Sequence, residues 1–156
     1  MNLIVDHMSI SQKCQYAIRA LLELAKRSDQ VPVRSSEIAA KQAIPQRFLE
    51  NILNELKTAG LVEARRGVQG GFVLACKPDI LTVGRVIRLV DGSLDPVRCT
   101  KGPDQRDCPL KDRCSLLQLW EEAKAAVEAV YDRATFAELA KRENAVDRQQ
   151  TAEYCI

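Results

Sequence analysis

The stretch QRFLENILNELKTAGLVEARRGVQGGFVLAC, residues 46–76, decides the fold. Phe48, Leu49, Ile52, Leu53 and Leu56 recur at three- and four-residue steps, the buried stripe of an amphipathic helix over 46–59. Gln46, Arg47, Glu50, Asn51, Asn54 and Lys57 fall on its exposed face. Gly60 is placed to end that helix, because glycine enters the left-handed region without a Cβ penalty. Residues 61–65 and 72–76 read as two short strands. Arg66-Gly67-Val68-Gln69-Gly70-Gly71 between them is a glycine-rich turn, so the pair is a hairpin.

Upstream, Cys14, Ala17, Ile18, Leu21, Leu22 and Ala25 form the apolar stripe of another helix, over 10–26. Ser9-Ile10-Ser11-Gln12 is expected to cap it as a capping box, with Gln12 reaching back to the Ser9 amide. Val31-Pro32-Val33 is short and extended. Ser35 is expected to cap a brief helix to Gln42, with Ile38 and Ala39 inward. Ala43-Ile44-Pro45 is a turn, since proline pushes the preceding residue out of helical geometry. Short helix, turn, amphipathic helix, hairpin is the order of a winged helix-turn-helix.

Downstream, Thr82 is expected to cap a helix to Asp91 that turns Val83, Val86, Ile87 and Val90 inward and stops at Gly92. Residues 93–114 have no sustained periodicity and hold Pro96, Gly102, Pro103 and Pro109. Ser115-Leu116-Leu117-Gln118 reads as a further capping box, opening a long helix to about residue 132. Its stripe is Leu116, Leu119, Trp120, Ala123, Val127 and Val130. Thr135 caps a short last helix, and residues 144–156 read as a polar, fraying end. The expected fold is mainly α with a small β-hairpin: a winged helix-turn-helix plus a long C-terminal dimerisation helix. The expected divisions are a DNA-binding domain over 8–92, a cysteine-rich loop over 93–115, a dimerisation region over 116–142 and a polar tail over 143–156.

Composition bounds the function. The chain has 156 residues, 46% apolar and 28% charged, which is globular rather than disordered. No apolar run approaches the ~20 residues needed to span a bilayer. Residues 1–8 lack the basic start and apolar core of a signal peptide, so a cytoplasmic location is expected. An aromatic content of 4% disfavours a base-stacking single-strand binder. The net charge of +2 hides an asymmetry. Residues 8–77 carry eleven Lys/Arg against six Asp/Glu, while residues 116–156 carry five against eight. A basic half suits a polyanion. No nucleophile–histidine pair, carboxylate dyad or phosphate loop is present, so no enzyme is expected.

The helix over 46–59 can enter a major groove by its N-terminal end. There Gln46, Arg47, Glu50 and Asn51 are the candidate readers. Arg47 can donate to guanine or phosphate, Asn51 can pair with adenine and Glu50 can accept from cytosine. Arg65, Arg66 and Gly67 at the hairpin can approach phosphate or a narrow minor groove. Cys99, Cys108 and Cys114, spaced C-x8-C-x5-C among Arg98, Lys101, Arg106, Lys111 and Arg113, are candidate metal ligands. Cationic neighbours favour the thiolate that binds metal. Spacing alone does not choose between zinc, an iron–sulfur cluster and a metal-free thiol switch.

Tyr16-Ala17-Ile18-Arg19-Ala20-Leu21, Phe48-Leu49-Glu50-Asn51-Ile52-Leu53, Gly60-Leu61-Val62, Arg66-Gly67, Gly70-Gly71-Phe72 and Leu81-Thr82-Val83-Gly84-Arg85-Val86-Ile87 carry a resemblance. Together with the cysteine loop, they make residues 8–142 similar to the IscR/NsrR/CymR family of bacterial winged-helix regulators. The resemblance implies a homodimer on pseudo-palindromic double-stranded DNA, joined through the long helix at Leu116, Leu119, Trp120, Ala123 and Val127. It implies base reading by Arg47, Glu50 and Asn51, a wing arginine at Arg66, and a [2Fe–2S] or [4Fe–4S] cluster on Cys99, Cys108 and Cys114. Two departures stand out. The first cysteine interval is longer than the family's usual five-residue gap. The fourth ligand is also open: Leu117 stands where one branch has histidine, and Gln15 is the nearest match to another branch's acidic residue. Asp107 and Asp112 are weak candidates, Cys14 is read as core, His7 as part of a leader, and Cys76 and Cys155 are assigned no site. Two other readings stay open: a winged-helix regulator with zinc or thiol-switch cysteines, and an electron-transfer or protein-interaction module that never touches DNA.

Overall fold

The computed structural model describes residues 10–27, 30–97, 100, 108–110 and 113–153, the last six in backbone only. Its elements are α1 (Gln12–Ala25), α2 (Ser35–Gln42), α3 (Gln46–Thr58), β1 (Val62–Arg65), β2 (Gly71–Leu74), α4 (Val83–Val90), α5 (Leu117–Arg133) and α6 (Phe136–Glu153). The expected fold class holds: helices dominate and one two-stranded antiparallel sheet stands beside them.

Helix α1 is the centre of the core. Cys14, Ala17, Ala20, Leu21 and Leu24 are buried along it, against Leu49, Ile52, Leu53 and Leu56 of α3 and Val86 and Ile87 of α4. Ile38 of α2 and Phe136 of α6 complete the packing, and Phe136 is the largest of the fully buried side chains. Burying a side chain of that size contributes roughly 1.5–3 kcal/mol. Backbone bonds from Phe136 N to Leu81 O (3.0 Å) and from Val83 N to Ala134 O (2.9 Å) clamp the α5–α6 corner onto the entry to α4. Phe136 and Ala140, from the region expected to dimerise, thus share one core with the helix-turn-helix.

The helix ends show which expected caps form. Thr82 and Thr135 accept from the Arg85 and Glu138 amides, both at 3.3 Å. Three expected serine caps differ. Ser11, not Ser9, caps α1 by accepting from the Cys14 amide at 3.0 Å; Ser9 lies outside the described residues. Ser35 is the first helical residue of α2, behind Arg34, whose side chain makes no capping bond. Its hydroxyl instead accepts from Gln46 Nε2 of α3 at 3.0 Å. Helix α5 starts at Leu117 without a side-chain cap, because the Ser115 box gives way to a tight turn in which the Leu117 amide donates to Cys114 O at 3.3 Å. Helix α6 runs on to Glu153, past the short last helix expected.

Gly60 ends α3 at φ +73° with a paired closure, Leu61 N to Leu56 O (2.9 Å) and Gly60 N to Lys57 O (3.0 Å). Helix α2 closes the same way, Ile44 N to Ala39 O (3.0 Å), but with Ala43 in the left-handed position at φ 47° and ψ 48°. Its Cβ is strained there. Ala43→Gly is therefore expected to stabilise the fold by about 0.5 kcal/mol, net of the chain entropy glycine adds to the unfolded state. A melting temperature unchanged or lowered in A43G would contradict this.

Candidate nucleic-acid interface

Helix α3 presents a polar face whose members fall into two groups. Gln46 Nε2 donates to Glu50 Oε1 at 2.9 Å and to Ser35 Oγ, so Gln46 and Glu50 are committed within the protein. Arg47 and Asn51 are exposed, and neither side chain enters a hydrogen bond or ion pair among the described residues. The four expected readers thus share one helix end, with two free to meet a ligand. Phe48 departs from expectation. Assigned to the buried stripe, it is 61% exposed, because the stripe needs only Leu49, Ile52, Leu53 and Leu56 to fill the space over α1. It lies over a hollow of about 300 Å³ whose lining includes Tyr16, Asn51 and Ile52.

The wing is held at a fixed place beside α3. Val62 pairs with Leu74, and Arg65 with Gly71, so Arg65 and Arg66 stand at the mouth of the turn, exposed. Val33 forms a third, one-residue strand: Phe72 N donates to Val33 O at 2.8 Å, and Val33 N to Phe72 O at 3.0 Å. Gly71 permits this approach, since a Cβ there would lie 2.5 Å from Val33 O. Arg34 Nη2 donates to the Val68 carbonyl at the wing tip, 2.8 Å away. Arg34 escaped the sequence reading because its partner is 34 residues away and no periodicity links them. Arg34, Arg47, Arg65, Arg66 and Lys57 give this face its basic character, tempered by Glu50 and Glu63.

A second missed group lies behind the helix-turn-helix. Glu23 of α1 is 1% exposed. Its carboxylate accepts from Lys41 Nζ (3.2 Å) and Gln42 Nε2 (3.1 Å) of α2, and pairs with Lys26 at 3.2 Å. Lys26 also pairs with Glu143 of α6 at 3.2 Å. Burial pushes the Glu23 carboxyl up, but the hydrogen bonds from Gln42, Lys26 and Lys41 outweigh it, and the group sits below its ordinary value.

The segment that holds the cysteines is tied to two helices near its start. At its start, Asp91 accepts from the amide of Ser11 (2.8 Å) and from its hydroxyl, which fixes the end of α4 to the start of α1. Asp95, its side chain 3% exposed, pairs with Lys124 of α5 at 2.6 Å. Arg88 of α4 forms a two-pronged bond to Asp132 of α5, at 2.8 and 2.6 Å. Gly84 leaves room for it, since a Cβ there would collide with the Asp132 carboxylate. Cys108 and Cys114 are half-buried free thiols; Cys99 and Cys155 lie outside the described residues, as do Asp107 and Asp112. Cys14 is fully buried, and burial, with the adjacent Asp91 carboxylate, pushes its thiol up to about 12. Burial also raises the Cys76 thiol, against the Arg85 charge. Neither is disposed to be a thiolate, and Cys14 is a core residue as expected. No group of three or more His, Cys, Asp or Glu side chains able to hold a metal occurs among the described residues.

The exposed polar end of α3, flanked by a pinned basic wing, defines a winged-helix protein of the DNA-binding class. The Rrf2 family, described as an iron-dependent transcriptional regulator, matches residues 10–142, and the chain belongs to that family of transcriptional regulators. It is 34% identical over 133 residues to the HTH-type transcriptional regulator CymR of Bacillus subtilis, covering 85% of this chain and 90% of that one. It is also 34% identical over 145 residues to the regulator IscR of Sodalis glossinidius, covering 91% and 86%. The solved structure of B. subtilis CymR, the global cysteine regulator, superposes with a TM-score of 0.72 at 33% identity, over 86% of this chain and 97% of that one. That of T. potens IscR gives 0.70 at 30% identity, over 86% and 88%.

Proposed function

We propose that this chain is a cytoplasmic, non-enzymatic, homodimeric regulator that binds pseudo-palindromic double-stranded DNA, with an iron–sulfur cluster on Cys99, Cys108 and Cys114 setting its affinity. The observation that carries the DNA reading is the α3 face, where Arg47 and Asn51 are uncommitted beside a wing pinned by Val33 and Arg34. In the dimer, Leu116 and, from α5, Leu119, Trp120, Ala123 and Val127 meet the partner. No α5 side chain is buried within one chain, and Leu116, Leu119 and Val130 stay about half exposed, a surface suited to a second copy.

Iron–sulfur clusters and structural zinc both take four ligands, and it is the match to an iron-dependent regulator family that favours the cluster. When bound, such a cluster supplies a redox- and iron-sensitive link across the segment. This chain's own part is mechanical. The segment leaves α4 at a contact with α1, and its Asp95 pairs with Lys124 of α5, so its conformation bears on both the DNA-binding unit and the dimer helix. Recognition helices of a dimer must stand about 34 Å apart, or a multiple, to enter successive major grooves.

The test is anaerobic purification with iron, sulfide and zinc analysis, followed by DNA binding across a salt series. Bound iron and sulfide, with affinity falling about 10³–10⁵-fold between 50 and 200 mM salt, is the expected result. Zinc in place of iron, or serine at all three cysteines with DNA affinity unaltered under every redox condition, would overturn the cluster reading. A second reading, a thiol switch, draws on the likeness to CymR, whose Staphylococcus aureus relative has a solved oxidised form matching this chain at 29% identity and a TM-score of 0.65. A metal-free protein whose DNA binding responds to a thiol oxidant would favour it.

A further inference from the structure

We infer that Phe48 is a base-reading residue, whose ring contacts the C5-methyl of a thymine in the major groove; this rests on the DNA-binding reading above. Phe48 is the one aromatic ring among the large apolar side chains exposed in the described residues. An exposed aromatic ring keeps apolar area in water that a few further contacts would remove. It stands at the N-terminal end of α3, next to Arg47 and one turn before Asn51. Asn51 lines the same hollow as Phe48.

The juxtaposition fixes the kind of base pair. Side chains three residues apart on a helix lie about 5–6 Å apart at Cβ, on one face. Bases along one strand are about 3.4 Å apart. A helix end that sets the Asn51 amide against an adenine therefore brings Phe48 to the same or the adjoining base pair. Asparagine pairs with adenine N6 and N7, and the thymine methyl is the one apolar group on the major-groove edge of a base pair. Hydrogen bond and apolar contact together read an A·T pair more closely than either alone. The neighbouring charges do not oppose this: Glu55, also at the hollow, is paired with Lys13 at 2.6 Å.

The test is a cycle between protein and DNA. The full chain and its F48A and F48L variants are titrated with a duplex selected from a random library. Each thymine of that duplex is replaced in turn by deoxyuridine, which lacks only the methyl. At one position in each half-site, the unmodified protein should lose about four-fold in affinity on methyl removal, the worth of one buried methyl. F48A should lose nothing further there, and on the thymine duplex should bind as the unmodified protein binds a duplex carrying uracil at that position in both half-sites. F48L should keep part of the discrimination. Melting temperatures of the three proteins guard against a folding defect.

Equal uracil penalties in the unmodified protein and F48A at every position would overturn the inference. So would an F48A loss independent of the methyl, which would put the ring against deoxyribose. If no protein shows salt-steep, sequence-selective binding, the DNA reading itself fails, and the inference with it.

Discussion

Alanine at Arg47 is expected to weaken binding to the selected duplex by about 10²-fold, and to relax preference at one base pair of each half-site. A specific arginine contact to guanine discriminates by about 1–3 kcal/mol, and a dimer loses it twice. The geometry makes Arg47 the stronger choice on α3, because its guanidinium has no partner among the described residues, and DNA can engage it without first breaking an internal bond. Glu50 is the internal control. Its carboxylate is already held by Gln46 at 2.9 Å, so E50A should cost less affinity than R47A. Fluorescence anisotropy on the selected duplex and on single-base variants separates two modes of binding. An arginine on a base edge loses selectivity at one position when removed. An arginine on the backbone weakens all sequences alike when removed, and the salt slope falls by about one for each phosphate no longer neutralised. An R47A protein that binds as tightly as the parent would remove Arg47 from the interface.

Different kinds of interaction are legible in the sequence to different degrees. Burial periodicity places α1, α3 and α4, since Leu49, Leu53 and Leu56 must face the core wherever the helix lies. Glycine chemistry places the wing turn and the end of α3 for the same local reason. Phe48 is misassigned because a 3.6-residue period cannot say how wide a stripe the neighbouring helix covers, and α1 covers only the strip through Leu49 and Ile52. The serine caps fail for a related reason. Ser9, Ser35 and Ser115 all open the right pattern, but at α1 and α2 the cap goes to Ser11 and Arg34, whose backbones are still extended, and α5 opens from a turn. Tertiary packing starts α1 after Ser11 and draws the Ser35 hydroxyl to Gln46. Arg34–Val68, Glu23–Lys41 and Asp95–Lys124 cannot be read at all, since nothing local joins their partners.

Three long-range polar ties lie around the start of the cysteine segment and the helices beside it. Asp91 binds Ser11, Arg88 binds Asp132, and Asp95 binds Lys124, so the segment 93–114 is bracketed between the DNA-binding core and α5. Arg88 and Asp132 are over one-third exposed, and such pairs are worth little in stability, about 0–1 kcal/mol. Their value is geometric, because a two-pronged arginine–carboxylate contact fixes orientation as well as distance.

Glu23 is where a polar tie carries real stability. Glu23→Gln is expected to destabilise the fold by about 2–3 kcal/mol, because it removes a buried charge while Lys26 and Lys41 keep theirs. For a chain of this length that lowers the melting temperature by roughly 5–10 °C. The loss stays below the upper range for broken buried pairs, since Lys26 retains Glu143 and Lys41 retains Glu37. The pH dependence is signed. The folded carboxyl sits below its ordinary value, so the folded state binds its proton less readily than the unfolded chain does. Its contribution is therefore complete above the unfolded value of about 4.3 and fades as pH falls toward the folded one. Glu37, Asp95 and Asp132 are lowered too and lose stability in the same direction, but they remain in E23Q. The difference between parent and variant thus isolates Glu23: it should be constant from pH 7 to about 5 and shrink below about 4. Urea unfolding of both proteins across that range measures it. A gap that widened as pH fell would mean that the folded carboxyl sits above its ordinary value, with burial, not the lysines and Gln42, dominating its environment.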